Sequence, residues 1–274
     1  MAGKKNFFIA FVLTTVIGLY GCTPATSIKT TGRINGHPNI NGIWQAMNTA
    51  NWNVEGGSAK AVEKFWQLGA LFAVPPGQSV VEGGKLPYLP SGLKQRETNM
   101  AGWPKSDPET SCYRVGIPRQ NYLPYPFQII QGDNDMLFVY AYATSNRPVF
   151  MNNHVDPDEV LIDQYLGWNN GHWEGDTLVI EVFGINPSWL DRSGNHHSGT
   201  VTERYTLMDE NHLWYEATID DPLNYSQPFT LSMPLYRRVE PNAELFEFKC
   251  VEFSENLLYG DVLKEPLWKQ EKAN

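Results

Sequence analysis

The sequence predicts a mainly β protein, folded as an antiparallel barrel or a sandwich with long loops and one or two short helices. Its second half contains short segments rich in β-branched and aromatic residues, each bounded by Gly, Asp, Asn or Pro turns. Their spacing is typical of a meander, which closes into a barrel or pairs as two sheets. The predicted strands are Phe127 to Ile130, Met136 to Ala143, Thr177 to Phe183, Thr200 to Leu207, Leu213 to Ile219 and Phe246 to Phe253.

Residues 1–21 have the order of an export signal. Two lysines precede an apolar run over residues 7–19, which is shorter than the ~20 residues that a membrane-spanning helix needs. Cys22 follows the expected cleavage position directly, and this ending resembles the bacterial lipoprotein box, in which that cysteine is lipidated. Tyr20 stands where a small residue is usual, so plain secretion stays an alternative.

These features predict a location in the cell envelope. A lipid-anchored protein of a Gram-negative cell would lie on the periplasmic face of the outer membrane, and the alternative is a soluble secreted or periplasmic protein. Residues 22–38 are rich in Thr, Ser, Gly and Pro and lack hydrophobic periodicity, which indicates a flexible tether. Residues 39–274 then form a single β-rich domain.

Helices are expected at two places in the first half of the chain. Pro and Gly are dense from Val74 to Pro108, which predicts loop with a short helix around Ser91 to Met100. A second helix candidate spans Ala59 to Leu71, where apolar residues recur at roughly helical spacing.

One hairpin is predicted in detail, because like residues face each other when Leu207 pairs with Leu213. Alternation then places Arg204 opposite Glu216 on one face and Glu203 in an apolar row on the other. A carboxylate in an apolar row must find a partner or be neutralised. Glu203 is therefore the best candidate for an interior polar group that acts on a ligand. The alternatives are a rim position, or pairing with an internal Arg for structure alone.

Two cysteines remain if Cys22 carries lipid. Export takes Cys112 and Cys250 to an oxidising compartment, where an even pair usually bridges. A disulfide that closes so long a loop stabilises the fold by about 5 kcal/mol in the chain-entropy model. The alternative is a catalytic thiol, since Arg114 stands near Cys112 and lowers a thiol pKa if it lies close.

Charge and composition restrict the partner. The formal net charge is −9 and no Lys/Arg cluster follows the signal, so no nucleic-acid partner is expected. Aromatic residues form 13% of the chain, with nine tryptophans. This content indicates a thick aromatic core or, alternatively, surfaces on which a ligand stacks.

Histidines and carboxylates in the predicted loops supply the candidate functional groups. His154 lies in a loop, where binding residues tend to be presented. The segment from Ser188 to Glu203 is the densest in polar residues, and its Asp191, His197 and Glu203 are of the types that act as general acid and base. The chain lacks His-x-x-x-His, Cys-x-x-Cys and phosphate-cradling glycine patterns, so neither a metal nor a cofactor is expected.

The triplet Gly42, Ile43, Trp44 resembles the Gly-x-Trp motif that opens lipocalin-like (calycin) barrels. In such barrels the tryptophan closes the bottom of the barrel, and the interior holds an apolar ligand. The resemblance thus implies a structural role for Trp44 at one end of a barrel.

A second resemblance covers most of the mature chain. Its motifs are GHWEGDTLVIE (Gly171 to Glu181), WLDRSGNHHS (Trp189 to Ser198), ERY (Glu203 to Tyr205), TIDDP (Thr218 to Pro222) and CYRVGIPR (Cys112 to Arg119), with Cys250. Together they resemble a family of exported bacterial proteins and lipoproteins that is known by its motifs rather than by an activity. His172 and Asn153 depart from it, because both stand where the family usually carries Arg. The resemblance implies one exported domain and directs attention to Trp173, Glu174, Asp176, Asp191, His197, Glu203, Arg204, Asp220 and Asp221.

Three functions are compatible with these features. The first is binding of a small apolar or aromatic molecule in a barrel pocket, with the membrane contacted through the lipid anchor alone. The second is a hydrolase, lyase or isomerase with His197, Glu203 and Asp191 as catalytic residues, which requires His197 and Glu203 within hydrogen-bond reach. The third is carbohydrate or cell-envelope binding through exposed tryptophans. The candidate ligand-binding residues are His154, Trp173, Trp189, Arg204 and Tyr205.

Overall fold

A closed barrel of nine strands forms the centre of the protein. The computed structural model describes residues 32–56, 78–151 and 155–252. The strands in chain order are β1 (Arg33–Ile34), β2 (His37–Pro38), β3 (Gly42–Ala46), β4 (Phe127–Gln131), β5 (Met136–Tyr140), β6 (Ser145–Met151), β7 (Trp168–Glu174), β8 (Thr177–Phe183), β9 (Ser188–Trp189), β10 (His196–His197), β11 (Thr200–Asp209), β12 (His212–Asp220) and β13 (Phe229–Arg237). Strands β3 to β8 and β11 to β13 form the barrel. The predicted mainly β fold class is confirmed. Of the two predicted arrangements, barrel and sandwich, the structure has the barrel.

Each barrel strand pairs with the next barrel strand along the chain, and β13 closes onto β3. Among the described barrel strands, β6 and β7 form the single parallel pair. A closed up-and-down barrel with an odd number of strands requires one parallel pair, since alternating directions cannot match around an odd circle. The parallel register joins Phe150 to Asn170 and Met151 to Gly171. We call the contact between β6 and β7 the seam.

The two ends of the barrel differ in their connections. Tight turns join β4 to β5, β7 to β8 and β11 to β12 at one end, which we call the hairpin end. Three long connections, residues 47–126, 184–199 and 221–228, lie at the opposite end, the loop end. Long connections on a rigid barrel are the usual position of binding residues.

Trp44 is a core residue of β3 that contacts Ile40 and Arg237. Its side chain is fully buried, and its indole Nε1 donates a 3.0 Å hydrogen bond to the carbonyl oxygen of Ile40. The Arg237 guanidinium lies 4.2 Å above the indole ring, in cation–π geometry. The resemblance of the Gly-x-Trp triplet to the lipocalin-like motif stays a prediction.

The first described residues contact the barrel at the hairpin end. Strands β1 and β2 pair with each other, the His37 ring stacks on Trp173 with 4.7 Å between centroids, and Arg33 forms an ion pair with Asp176. Of the predicted tether of residues 22–38, the structure describes the part from residue 32, and residues 33–38 form this hairpin.

Residues 115–123 fill the loop end, and we call them the plug segment. Val115, Ile117 and Leu123 are fully buried, and a short 3-10 turn spans Arg119–Asn121. Gly116 begins the turn into the barrel with a φ of +84°, and a Cβ at this position would lie 2.2 Å from Oγ of Ser188. Glycine is therefore required where the plug segment passes strand β9.

Helix α1 (Pro90–Gly102) confirms the helix predicted around Ser91 to Met100. Proline at its first position leaves no amide hydrogen unpaired there. The Asn99 side chain donates a 3.0 Å hydrogen bond to the carbonyl oxygen of Gly194, which ties the helix to the loop before β10. The other helix candidate, Ala59 to Leu71, lies outside the described residues.

The predicted hairpin has the predicted register. Leu207 pairs with Leu213, and Arg204 lies opposite Glu216. Five of the six predicted strands are present, with ends that differ by at most three residues. The faces therefore sort as the sequence indicates, and Glu203 points into the barrel with no exposed surface.

The sixth predicted strand, Phe246 to Phe253, is wrong over its described residues. The backbone of residues 246–252 has no strand. Instead the Phe248 ring packs on Tyr125 and Tyr142, with centroid distances of 4.7 and 5.1 Å. A closed barrel offers no free edge to pair with, so the Phe248 side chain packs partly buried against the loop end without a sheet.

The predicted disulfide between Cys112 and Cys250 is present, with 5.6 Å between the two Cα atoms. It fastens the segment after β13 to the loop that precedes the plug segment. The cross-link thus holds the chain near its carboxyl end against the loop end of the barrel.

Three strands of the barrel, β6, β7 and β13, were not predicted because their sequences carry residues that strands usually avoid. β6 contains Pro148 and β13 contains Pro234, whereas β7 contains the run Asn169, Asn170, Gly171. Barrel closure overrides these local preferences, since each strand has a neighbour on both sides.

Candidate functional site

A cluster of polar side chains lies inside the barrel directly beneath the plug segment. Five barrel strands and the plug segment contribute one or two residues each, and all of them are buried. We call this group the interior polar cluster. Its members are Asn121, Tyr140, Arg147, Asn169, Glu203, Tyr205 and Tyr215.

Glu203 is the centre of the cluster. Its Oε1 accepts hydrogen bonds from Asn121 Nδ2 at 2.6 Å, Tyr215 OH at 2.7 Å and Tyr205 OH at 3.1 Å. Its Oε2 accepts a hydrogen bond from Nη2 of Arg147 in a salt bridge with both side chains fully buried. Four donors from four positions of the chain therefore converge on one carboxylate.

Two of the three guanidinium nitrogens of Arg147 are hydrogen-bonded. Its Nε donates a 2.7 Å hydrogen bond to Oδ1 of Asn169, which bridges β6 to β7 beside the seam. Its guanidinium carbon lies 5.5 Å from the centre of the Phe138 ring. The buried Nη1 has no hydrogen-bond partner among the described residues. An unmade bond at a buried cationic nitrogen is costly, which singles out this atom.

The tyrosines of the cluster are neutral donors at ordinary pH. Burial, together with the nearby charge of Glu203, raises the pKa of Tyr205 and Tyr215 well above the usual value. Burial also raises the pKa of Tyr140, whose hydroxyl donates a 2.7 Å hydrogen bond to Oδ1 of Asn121. Burial alone would lower the pKa of Arg147, but Glu203 outweighs it and raises that pKa, so Arg147 stays charged.

A second buried group of charges fixes the plug segment from the outside, and we call it the plug cluster. It consists of Asn51, Asp107, Glu109, Arg119 and Arg192. Arg119 Nη1 and Nη2 bind the two oxygens of Asp107 at 2.8 and 3.1 Å, and Nη2 also binds Glu109 at 2.6 Å. Burial alone would raise the pKa of Glu109, but Arg192 and Arg119 outweigh burial and lower it to about 2.

The predicted catalytic residues lie in separate environments. His197 Nε2 donates a 2.7 Å hydrogen bond to the carbonyl oxygen of Ile117 in the plug segment, and its Nδ1 has no partner within the described chain. Burial lowers the pKa of His197 to about 4, so the ring is neutral at pH 7. In the described structure no hydrogen bond joins His197, Glu203 and Asp191 to one another. Their joint catalytic role stays a prediction.

Asp191 organises the loop between β9 and β10. Its carboxylate accepts hydrogen bonds from the amides of Val54, Ser193 and Asn195 at 2.8 to 3.2 Å, and from Asn195 Nδ2 at 2.7 Å. Burial raises its pKa to about 6, although these hydrogen bonds favour the charged form. The contacts of Asp191 are those of a residue that shapes a loop.

The predicted ligand-binding residues are divided between the two ends. Tyr205 belongs to the interior polar cluster, and Trp189 is buried in β9 at the loop end. Trp173 lies at the hairpin end, where it stacks on His37. His154 lies outside the described residues. The structure therefore brings Tyr205, but not Trp173, to Glu203.

Arg204 lies on the outer face of the barrel. Its register partner is Glu216, as predicted, but its Nη2 forms its ion pair with Oε2 of Glu174 at 2.7 Å. Glu174 on β7 lies within reach because β11 pairs with β8, and β8 pairs with β7 next to the β7–β8 turn.

Sequence reasoning missed two of the four hydrogen-bond partners of Glu203. Arg147 was missed because Pro148 argues against a strand at β6, although Arg147, Val149 and Met151 alternate onto one face. Asn121 was missed because it belongs to the plug segment, and the sequence of this loop does not indicate that it enters the barrel. The alternation in β6 is the one signal that points to Arg147.

A groove of about 650 Å³ lies outside the barrel beside β8 and β11. Residues 155–157 form one wall, and Glu181 and Thr202 belong to the other. Asn170 fixes the wall formed by residues 155–157, because its side chain forms two 2.9 Å hydrogen bonds with the backbone of Val155.

The described part of the chain contains neither a metal-binding cluster nor a membrane-spanning helix. Within residues 32–56, 78–151 and 155–252, no group of three or more His, Cys, Asp or Glu side chains is arranged to hold a metal ion. Over the same part of the chain, none of the helices has the length and apolar character needed to cross a bilayer.

Comparison with known proteins gives no match. No protein-family model matches the chain, no curated protein matches it, and no solved structure matches its fold. The geometry of the site is therefore the basis for inferring a function.

Proposed function

We propose that this protein is an exported, lipid-anchored carrier that binds a small molecule with an apolar or aromatic body inside the barrel. The polar end of the molecule is bound at the interior polar cluster, next to Arg147 and Glu203. The observation that carries the proposal is this fully buried ion pair, which has one guanidinium nitrogen without a partner in the described chain.

Apolar side chains would fill the barrel interior without the buried Arg147–Glu203 ion pair. Replacing a buried ion pair by apolar side chains of similar volume is often neutral or stabilising. Burying Arg147 and Glu203 beneath three tyrosine hydroxyls is therefore a cost that selection for stability alone does not explain. Charged groups buried in this manner are typical of binding and catalytic sites.

Aromatic rings supply the apolar surroundings. Phe138 lies beneath Arg147 and 5.5 Å from the Tyr205 ring, and Phe127 stacks 6.0 Å from Phe138. A molecule bound among these rings buries apolar surface at one end and meets hydrogen-bonding groups at the other. The seam favours entry near Arg147, since the β6–β7 register ends at Phe150 and Asn170.

The test is native mass spectrometry of the mature protein purified from its own host, with extraction of any bound compound. We expect wild type to carry a small molecule and the variant with Arg147→Met and Glu203→Gln together to lose it. The matched control is Arg204→Met on the outer face, which should retain the compound. A wild-type protein without bound compound contradicts the carrier function and favours the hydrolase, lyase or isomerase alternative.

The lipid anchor is tested separately. The leader of residues 1–21 and the cysteine after it support lipidation, and the Cys112–Cys250 disulfide agrees with an oxidising compartment. We expect Cys22→Ser to move the protein from the membrane fraction to the soluble fraction, with Cys112 and Cys250 unchanged. Retention of the Cys22→Ser variant on membranes would contradict anchoring through this residue.

A further inference from the structure

The interior polar cluster has few donors left for a ligand. Tyr205 and Tyr215 donate to Glu203, and Tyr140 donates to Asn121. Asn121 Nδ2 has two hydrogens and already lies within hydrogen-bond distance of three oxygens. Within the described cluster, the nitrogen that has no hydrogen-bond partner at all is Nη1 of Arg147. A ligand at this site is therefore met by a donor and must supply an acceptor.

The charge of the cluster is already balanced. Arg147 carries one positive charge and its salt-bridge partner Glu203 one negative charge, while the three tyrosines are neutral. A bound carboxylate would leave this fully buried site with an excess negative charge close to Glu203. Burying such an uncompensated charge is strongly unfavourable. A neutral oxygen accepts from Nη1 without that penalty.

Arg147 is also fixed in place before a ligand arrives. Glu203 holds Nη2 and Asn169 holds Nε, and the Asn169 amide is itself held by the carbonyl oxygens of Leu166 and Gly167 at 3.2 and 3.1 Å. Swinging the guanidinium toward a stronger anion would break these bonds. The fixed position selects the acceptor by its location on the ligand.

We infer that the ligand is an uncharged molecule with an aromatic or apolar body and one hydrogen-bond-accepting oxygen, such as a carbonyl, which is bound by Nη1 of Arg147. This inference rests on the proposed carrier function and gives that ligand its chemical class. A site built around a donor discriminates against an analogue that lacks the acceptor, because the donor then stays unpaired.

The test uses three probes of similar shape, namely acetophenone, benzoate and ethylbenzene, titrated into the wild-type chain after removal of bound compounds. We expect acetophenone to bind about ten- to a hundred-fold more tightly than either of the others, the range for a hydrogen bond to a charged donor. The infrared carbonyl band of bound acetophenone should shift to lower frequency than in a hydrocarbon solvent. This reading needs no variant and does not depend on whether an Arg147 variant folds.

The outcomes separate the two proposals. Tightest binding of benzoate would overturn the uncharged class, and equal binding of ethylbenzene and acetophenone would overturn the need for an acceptor, while the carrier function stands in both cases. If none of the probes binds, the compound extracted from the host decides, since an anion overturns the inference and a neutral carbonyl or hydroxyl compound supports it. Absence of both probe binding and a host compound overturns the carrier function and this inference together.

Discussion

Arg119 and Arg147 are both buried without exposed surface, yet their environments differ in one respect. Every guanidinium nitrogen of Arg119 is hydrogen-bonded, to Asn51, Asp107 or Glu109. Arg147 has the same kind of carboxylate and amide partners, but its Nη1 has none among the described residues. A buried guanidinium whose nitrogens are all hydrogen-bonded needs no further partner. A buried guanidinium nitrogen without a hydrogen bond can still donate to an additional partner.

The difference assigns the two clusters different tasks. The plug cluster joins the loop before the plug segment, the plug segment itself and the loop after β9, so it fixes two of the three long connections, residues 47–126 and 184–199, to each other. The interior polar cluster joins barrel strands that the sheet already holds together, and its Asn121 ties the plug segment to them. On the carrier function proposed above, the unpartnered nitrogen of this cluster is the group that a ligand would engage.

The largest expected effect on stability is that of losing the Cys112–Cys250 disulfide, which lies at the loop end. Reduction, or Cys112→Ser together with Cys250→Ser, should lower the free energy of unfolding by about 5 kcal/mol, because the bond closes a very long loop. Urea titration measures the loss with and without reductant. The double variant serves as its own control, since reductant should change it no further. An unchanged midpoint in wild type would mean that the bond adds no stability.

The sharpest test of the comparison is truncation of each arginine. Arg119→Met leaves Asp107 and Glu109 buried with a missing partner, and should cost about 3–5 kcal/mol. Arg147→Met should cost a similar amount, because it leaves Glu203 uncompensated.

The double variants should then diverge. Adding Glu203→Gln to Arg147→Met removes both interior charges and should recover part of the loss, whereas adding Glu109→Gln to Arg119→Met leaves Asp107 without its arginine and Arg192 without its carboxylate, and should recover little. Chemical denaturation of the four variants measures the recovery in each cluster. Equal recovery in the two clusters would show that they have the same structural task.

His197 links the plug segment to β10 and gives the loop end a pH dependence. Its pKa falls from 6.5 in the unfolded chain to about 4 in the folded one, so the unfolded state gains the proton first as the pH falls. Stability is thus full above pH 6.5 and declines toward pH 4, by about 3 kcal/mol.

His197→Gln keeps a donor for the Ile117 carbonyl without a titrating ring. The difference in unfolding free energy between wild type and this variant should shift by that amount between pH 7 and pH 4. The comparison with the variant is needed because Asp191 acts in the opposite direction. Its pKa is raised from 3.8 to about 6, so its contribution is full below pH 3.8 and is lost as the pH rises through 6. A difference that does not vary with pH would mean that His197 titrates normally in the folded protein.

The smallest effect is expected outside the barrel. Arg204→Gln removes an ion pair with Glu174 in which both side chains are more than a third exposed. The loss should stay below ~1 kcal/mol and shrink further in high salt. Thermal melts at low and high salt measure it. A loss as large as that of Arg147→Met would contradict the distinction between buried and exposed pairs.

Much of the barrel wall could be predicted because strand signals are local. Alternation gave the faces of β11 and β12, and the pairing of Leu207 with Leu213 gave their register. The disulfide was predictable from compartment and cysteine count. Strands β6 and β13 were not predictable, because Pro148 and Pro234 are locally unfavourable and are accepted only in the closed sheet.

The sequence by itself determined that this chain is mainly β, that Glu203 faces the interior and that Cys112 meets Cys250, because alternation and cysteine pairing are properties of short segments and of composition. Tertiary structure decided which charge meets Glu203. Arg147 lies 56 residues away on β6, and the two side chains meet because an odd-stranded barrel closes around its seam. Asn121 joins them because the plug segment enters the loop end. Such contacts depend on how the whole sheet closes, and no local pattern of residues records that closure.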